Sequence, residues 1–242
     1  MALSEKRLSS LADIQNSDLS LNRSLLKDRV ANTLRDYISS GRIPEGTKLT
    51  EREVSTLLGI SRAPARDALM SLEKEGLVVS KSSGRYVIEL TEKDVRDIHV
   101  LRWTLEKVAA ELAATNITSE NQATLCDALR ELEMTAVDGD AHSWTQADMA
   151  LHRTIWRLAD NAHLLKVLDS VLGAIFVLAE RNTMYGLRNV EQDIAYHREL
   201  VDLIVGGDGV KAGQAMEAHL KRSLAATLKT FRLRENKDVL SE

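Results

Sequence analysis

From Leu21 onward, apolar residues recur at intervals of three and four, which is the spacing of one face of an α-helix. Only the interval between Leu77 and Leu90 departs from this pattern, because short runs rich in β-branched residues replace it there. An all-β sandwich or barrel needs a turn about every 8–12 residues. The chain has only 12 Gly and 2 Pro among 242 residues. We therefore expect a mainly α protein.

Three helical segments with tight turns between them are predicted before the strand-rich interval. The second begins at Thr50, which can form a capping box with Glu53, and Gly59 ends it. Two strand-like runs, Leu77–Val79 and Tyr86–Leu90, follow the third helix and predict a small β-hairpin. This order of elements is that of a winged helix-turn-helix, in which the third helix enters the major groove and the hairpin lies over the adjacent backbone.

The winged helix-turn-helix geometry assigns the candidate DNA contacts. Arg62 and Arg66 lie four residues apart on the N-terminal half of the third helix, the part that reaches base edges in this motif. An arginine there can donate two hydrogen bonds to a guanine edge. Six further residues are placed to face the DNA backbone, on the helix N-termini or on the hairpin: Thr50, Arg52, Ser61, Lys81, Gly84 and Arg85.

The charge distribution is weak evidence for a nucleic-acid partner. The net charge of the chain is −4. Residues 20–90 carry 12 basic and 9 acidic residues, about +3, whereas residues 91–242 carry 18 and 24, about −6. The mild positive excess therefore lies in the segment of the predicted helix-turn-helix.

A specific motif lies within this segment and reads GRIPEGTKLTEREVSTLLGISRAPARDALMSLEKEGLV, with SRAPARDAL inside it. It closely resembles the DNA-binding domain of the GntR family of bacterial transcription regulators, over about residues 22–90. The resemblance implies that four residues contact operator DNA: Arg52, Arg62, Arg66 and Gly84.

The chain from Thr91 onward has no comparable strand signal and predicts an all-α antiparallel bundle. Turn signals divide it into helical segments near residues 92–115, 119–137, 141–160, 162–180, 190–205 and 208–234. The predicted organisation is a mobile N-terminal tail (1–21), a winged helix-turn-helix domain (22–90), a helical domain (91–235) and a C-terminal tail (236–242).

Four residues with metal-binding side chains fall on the apolar faces of these helices. Asp148 and His152 lie one turn apart, and His197 and His219 lie on the last two helices. A carboxylate and three imidazoles are costly to bury unless they satisfy one another, and a divalent cation does so. The set suits Zn²⁺ or Ni²⁺, with Mn²⁺ or Fe²⁺ as further options. Three other histidines lack this placement and are assigned no ligand role: His99, His142 and His163.

Arg102 is a further polar group predicted to face inward, on one helix face with Ile98, Leu105 and Leu112. Two roles remain open for it. It can form an i,i+4 ion pair with Glu106. Alternatively, it can clamp a ligand, because a divalent ion, one aspartate and one arginine leave the pocket at about +2, which favours a carboxylate that accepts a bidentate hydrogen bond.

Three segments of the helical domain carry a second resemblance: LRWTLEKVAAELAA, DMALH and YHRELVDLIVGGDGVKAGQAMEAHL. They are similar to the all-helical ligand-binding domain of the FadR subfamily, over about residues 90–235. The resemblance implies a metal held by Asp148, His152, His197 and His219, with a small carboxylate beside it. The residue before the third ligand is often glutamate in that subfamily and is Tyr196 here.

Together these features predict a DNA-binding transcription regulator, a repressor, that binds double-stranded operator DNA as a homodimer and responds to a small carboxylate at a divalent-metal site. Two alternatives remain open: a purely structural metal in a bundle that only dimerises, and a metal-dependent enzyme acting on a carboxylate. The enzyme is disfavoured because no inward glutamate or additional histidine is predicted as a general base. Neither an export signal nor a membrane span of about 20 apolar residues is present, so we expect a cytoplasmic protein without a membrane partner.

Overall fold

The computed structural model describes residues 23–138, 140–184 and 189–239. Within these ranges the chain is mainly helical and has one small sheet, which confirms the predicted fold class. The predicted N-terminal tail lies outside the described residues. Two compact units are present: unit 1 contains the described residues up to Glu89 together with Asp169–Val177, and unit 2 contains Leu90–Leu168 and the described residues from Leu178 onward. Among the described helices, none combines the length and the apolar character that a bilayer span requires.

Unit 1 contains three helices and a three-stranded antiparallel sheet, together with the helical segment Asp169–Val177. The helices are α1 (Arg23–Ser39), α2 (Glu51–Leu58) and α3 (Arg62–Lys74). The strands are β1 (Lys48–Leu49), β2 (Val78–Lys81) and β3 (Gly84–Val87), in the order β1-β3-β2. The predicted hairpin is β2–β3. Strand β1 was not predicted, because a strand of two residues is too short to show an alternating pattern.

The boundaries of α2 follow from its local sequence. Thr50 and Glu53 form the predicted capping box, and Gly59 ends the helix in the left-handed conformation, with φ +63°. The helices and the sheet enclose an apolar core that includes Val30, Leu34, Leu69, Leu72 and Val87. This core holds α3 so that its opposite face points to solvent.

The rest of the chain forms six described helices, close to the six predicted segments, and they make up unit 2 apart from Asp169–Val177. They are α4 (Glu92–Asn116), α5 (Ser119–Asp138), α6 (Ala141–Leu158), α7 (Ala162–Met184), α8 (Val190–Val205) and α9 (Gly209–Val239). The last helix continues beyond the predicted end near residue 234. Helix α4 packs most extensively against α9 and also lies against α6 and α8. The inner faces of these four helices therefore meet.

The buried face of α4 differs from the predicted one. Ile98, Leu105 and Leu112 are only half-buried, whereas His99 and Glu106 are 1% and 0% exposed. The buried face of α4 also contains Val95, Arg102, Ala109 and Ala113. Arg102 faces inward as predicted, but the large apolar residues lie at the border of the buried face, because polar side chains and small alanines occupy the part that packs.

Candidate functional site

The exposed face of α3 carries the predicted base-reading arginines. Arg62 and Arg66 are both exposed, and the nearest carboxylate oxygen to Arg66 Nε belongs to Asp67, at 3.7 Å. Ser61 is the N-cap residue of α3, but its side chain makes no capping hydrogen bond. The N-terminus of α3 therefore presents cationic side chains and a hydroxyl to solvent.

The N-terminus of α2 is adjacent in sequence to this face and is more constrained. The Thr50 hydroxyl donates to Glu53 Oε2 (2.7 Å) and accepts from the Glu53 N–H (3.1 Å). Arg52 is exposed one residue into the helix. The Thr50 hydroxyl is therefore engaged in capping α2, whereas the Arg52 side chain is exposed and has no capping role.

All three hairpin candidates make contacts within unit 1, and Lys81 Nζ lies 3.6 Å from Glu89 Oε2. A Cβ on Gly84 would lie 2.8 Å from Lys48 Cε, and φ at Gly84 is +133°, a conformation that side chains rarely adopt. Arg85 donates from Nε to Glu73 (3.1 Å) and from Nη1 to Glu51 (3.4 Å), which links β3 to α3 and α2. Lys81 is exposed at the hairpin.

In unit 2, the four predicted metal ligands lie together in the interior. His152, His197 and His219 each offer a ring nitrogen, and these nitrogens lie within 4.8 Å of one another. Asp148 Oδ1 is 3.2 Å from His197 Nε2. All four side chains are buried. The sequence-based placement of these residues on inward faces therefore produces one cluster.

Hydrogen bonds determine which ring nitrogens face the centre of the cluster. His152 Nδ1 lies 2.6 Å from a Glu106 oxygen and His197 Nδ1 lies 2.7 Å from the Asp193 carbonyl. Both oxygens can only accept, so each Nδ1 carries a proton, and in the neutral ring each Nε2 then has the lone pair that a metal needs. The two Nε2 atoms are 3.4 Å apart.

This arrangement fits a divalent cation. Two nitrogen ligands of a tetrahedral ion, each at about 2.0–2.1 Å from it, lie about 3.4 Å apart. Burial is the largest cause that lowers the pKa of His219 well below its usual value, and repulsion by His197 and His152 lowers it further. His219 is therefore neutral near pH 7, as a metal ligand must be. The four side chains can supply three imidazole nitrogens and one carboxylate oxygen.

The sequence did not predict that Glu106 contacts the histidine cluster. Glu106 is fully buried and accepts hydrogen bonds from three side chains: Arg102 Nε (2.8 Å), His152 Nδ1 (2.6 Å) and Trp156 Nε1 (3.1 Å). Burial acts to raise its pKa, but the electrostatic interactions with Arg102 and His152 and the hydrogen bonds from both side chains lower it to about 2. Glu106 therefore faces inward, a placement that the sequence did not predict. Because its oxygens serve these donors, Glu106 is not poised as a general base.

His99 was also wrongly assigned to a position away from the interior. It is 1% exposed, and burial, followed by the charge of Arg102, lowers its pKa to about 3. A ring N–H of His99 donates to the Leu220 carbonyl, next to His219. His99 is thus a neutral residue that ties α4 to α9 beside the cluster.

A cavity of about 150 Å³ adjoins the cluster. Asp148 and His219 line it together with Arg102, whose Nε is held by Glu106. The guanidinium carbon of Arg222 lies 3.6 Å from the centre of the Tyr196 ring, and both residues line the same cavity. The remaining lining residues are Ala179, Asn189, Gln192, Asp193, Ser223 and Ala226. Most of the described lining residues have polar side chains, and two of these side chains are cationic.

Comparison with known families matches both parts of the chain. The model for bacterial regulatory proteins of the gntR family matches residues 26–88, and the model for the FCD domain matches residues 97–222.

Individual proteins are similar over most of the chain. A probable D-xylose utilization operon transcriptional repressor of Paenarthrobacter nicotinovorans is 31% identical over 214 residues, covering 85% of this chain and 92% of that protein. The gluconate operon transcriptional repressor of Bacillus licheniformis is 30% identical over 164 residues, covering 66% and 68%. The structure of E. coli McbR/YncC shares the fold, with a TM-score of 0.71 at 19% identity, covering 85% of this chain and 98% of that one.

Proposed function

Because this chain belongs to the GntR family of bacterial regulatory proteins and carries an FCD domain, we propose that it is a metabolite-responsive repressor whose operator affinity is set by a small carboxylate bound at a divalent-metal site. The observation that carries this proposal is the cluster of Asp148 and three histidines beside a cavity lined by Arg102. The chain is a transcription regulator, so the metalloenzyme alternative is set aside. A metal with a purely structural role remains the alternative to test.

We assign operator recognition to unit 1. Arg62 and Arg66 are exposed at the start of α3, where this motif reads base edges. Arg52, Ser61 and Lys81 supply exposed donors for phosphate oxygens. The other three candidates contribute mainly by shaping the DNA-facing surface. Thr50 caps α2, Gly84 allows the close backbone approach at the hairpin turn, and Arg85 connects β3 with α3 through its ion pair with Glu73. Each chain has one winged helix-turn-helix, so recognition of a two-fold-symmetric operator requires a homodimer.

Replacing Lys81 by alanine is expected to weaken binding to all DNA sequences alike. A phosphate contact contributes through counterion release, so its loss reduces the slope of log K against log salt by roughly 0.9. Fluorescence anisotropy over a range of salt concentrations measures this slope. An unchanged slope would remove Lys81 from the interface.

The metal centre is proposed to form from Asp148, His152, His197 and His219. These ligands suit Zn²⁺ or Ni²⁺, and Mn²⁺ or Fe²⁺ are the other candidates. The ion would supply Lewis acidity that attracts a carboxylate oxygen. The protein supplies the second cationic group, Arg102, whose Nε is occupied by Glu106 while its Nη groups remain for an anion.

The lining of the cavity indicates a hydroxylated rather than a fatty acid as the effector. Asn189, Gln192, Tyr196 and Ser223 offer polar groups to hydroxyls, and two alanines are the apolar residues among the lining residues that the structure describes. A cavity of about 150 Å³ admits a molecule of roughly benzene's size or a little longer. Two relatives are named for D-xylose and gluconate operons, and gluconate is itself a hydroxylated carboxylate.

To test this function, we would screen small hydroxylated acids against the metal-loaded full-length protein by thermal shift, since a ligand of the native state raises its melting temperature. Hits would then be added to operator-bound protein. A change in operator affinity is expected for the cognate acid. A purely structural metal predicts that no acid changes the operator affinity.

Replacing Arg102 by alanine is expected to abolish the effector response while the metal-loaded protein keeps its operator affinity. A bidentate, charge-assisted contact to the carboxylate is lost, which lowers effector affinity by at least about tenfold. Calorimetry with the identified acid measures this loss. Arg102→Lys is the matched control, because it keeps the positive charge but not the paired N–H donors of the guanidinium group. Equal affinity in Arg102→Ala would leave Arg102 only its ion pair with Glu106.

A further inference from the structure

We propose that Glu106 is a positioning residue of the metal centre, which holds the His152 ring with its Nε2 lone pair toward the other ligands. The inference rests on the proposed metal site. It concerns a residue outside the ligand set, on a different helix from all four ligands.

The contacts of Glu106 determine the His152 tautomer. One oxygen, Oε2, receives both His152 Nδ1 (2.6 Å) and Trp156 Nε1 (3.1 Å). A carboxylate can only accept, so the imidazole proton stays on Nδ1 and is excluded from Nε2. In metal sites, such partners orient the ring and raise ligand basicity, and their removal typically costs about 10–100-fold in metal affinity.

The other oxygen of Glu106 connects the metal centre with the cavity. Oε1 accepts from Arg102 Nε at 2.8 Å, and Arg102 lines the cavity beside Asp148 and His219. One carboxylate therefore orients a metal ligand and the proposed effector clamp together. A shift of the Glu106 carboxylate would therefore move both the His152 ring and the Arg102 guanidinium.

The test uses a pair of variants that isolates the His152 contact. Trp156→Phe removes one donor and leaves Glu106 with Arg102 and His152, so Zn²⁺ affinity should stay within about threefold of the parent. In Trp156→Phe/Glu106→Gln, the amide oxygen faces the cationic Arg102 and the amide NH₂ donates to His152 Nδ1. The proton then moves to Nε2, where it competes with the metal. Zn²⁺ affinity of the full-length double variant should fall by about 10–100-fold relative to Trp156→Phe.

Nitrogen-15 NMR of the histidine side chains in metal-free protein provides a readout that a general loss of stability does not mimic. The parent and Trp156→Phe should show the Nδ1–H tautomer at His152, and the double variant should show the Nε2–H tautomer. Equal Zn²⁺ affinity in the two variants would overturn the proposal, as would an Nε2–H tautomer in the parent.

The NMR measurement on the parent keeps the proposal testable if Trp156→Phe does not fold. It also separates this inference from the proposed function. A parent that binds no Zn²⁺ or Ni²⁺ contradicts the metal site, whereas a parent that binds metal without the Nδ1–H tautomer contradicts only the role of Glu106.

Discussion

Full-length His197→Ala is expected to lose its divalent metal while it retains operator binding. His197 Nε2 lies 3.4 Å from His152 Nε2 and 3.2 Å from Asp148 Oδ1, so its removal takes away a ligand at the centre of the cluster. Loss of an outer partner alone costs about 10–100-fold in affinity, and loss of a direct ligand should exceed about 100-fold. Mass spectrometry of dialysed protein measures the metal content.

The matched control for this experiment is His142→Ala, which removes a half-buried histidine that is not among the three clustered histidines. It should retain one metal per chain. Operator binding should persist in both variants, because unit 1 has its own apolar core. Full metal content in His197→Ala would rule out the proposed site.

The double variant Arg62→Ala/Arg66→Ala is expected to lose specific operator binding. Each bidentate arginine–guanine contact contributes about 1–3 kcal/mol of discrimination, so the pair should cost about 2–6 kcal/mol if the contacts are independent. The single variants should each relax base preference at one position. Anisotropy with DNA selected by the parent protein from a random library gives the affinities.

Arg130→Ala serves as the control for loss of an exposed arginine, since Arg130 pairs with Asp127 on α5 in unit 2. Its operator affinity should match that of the parent. An unchanged footprint in both Arg62→Ala and Arg66→Ala would remove α3 from the base-reading role. A loss of affinity without any change in base preference would instead make both residues phosphate contacts.

Periodicity alone predicted the helices of this chain because most of their buried faces are apolar. The capping box at Thr50 and the stop at Gly59 were also readable, since each depends on residues within one turn. His197 could be placed inward because it lies in phase with Val201 and Ile204, which are buried. Local rules and a consistent apolar face were sufficient in these cases.

For helix α4, apolar periodicity did not predict the buried face correctly throughout. Arg102 faces inward as predicted, but His99 and Glu106 share its buried face, so the large apolar residues of α4 indicated the position of that face only in part. The alanine-rich run on its C-terminal half, including Ala109, Ala110 and Ala113, was the available signal, since small side chains mark close helix packing. The partners of Glu106 on α6 could not be predicted, because which helices meet is decided by the tertiary fold.

The three donors that share Glu106 also restrict how this site can change during evolution. A single substitution at position 106 leaves buried donors on Arg102, His152 and Trp156 without an acceptor, and a single change at Arg102 removes the cation that compensates a buried carboxylate. The effects of such substitutions on the free energy of unfolding are strongly non-additive, because the side chains share one hydrogen-bond network. Among related chains, Arg102, Glu106 and His152 are therefore expected to be replaced together, and lineages that abandon the metal should have exchanged all three of them rather than the ligands alone.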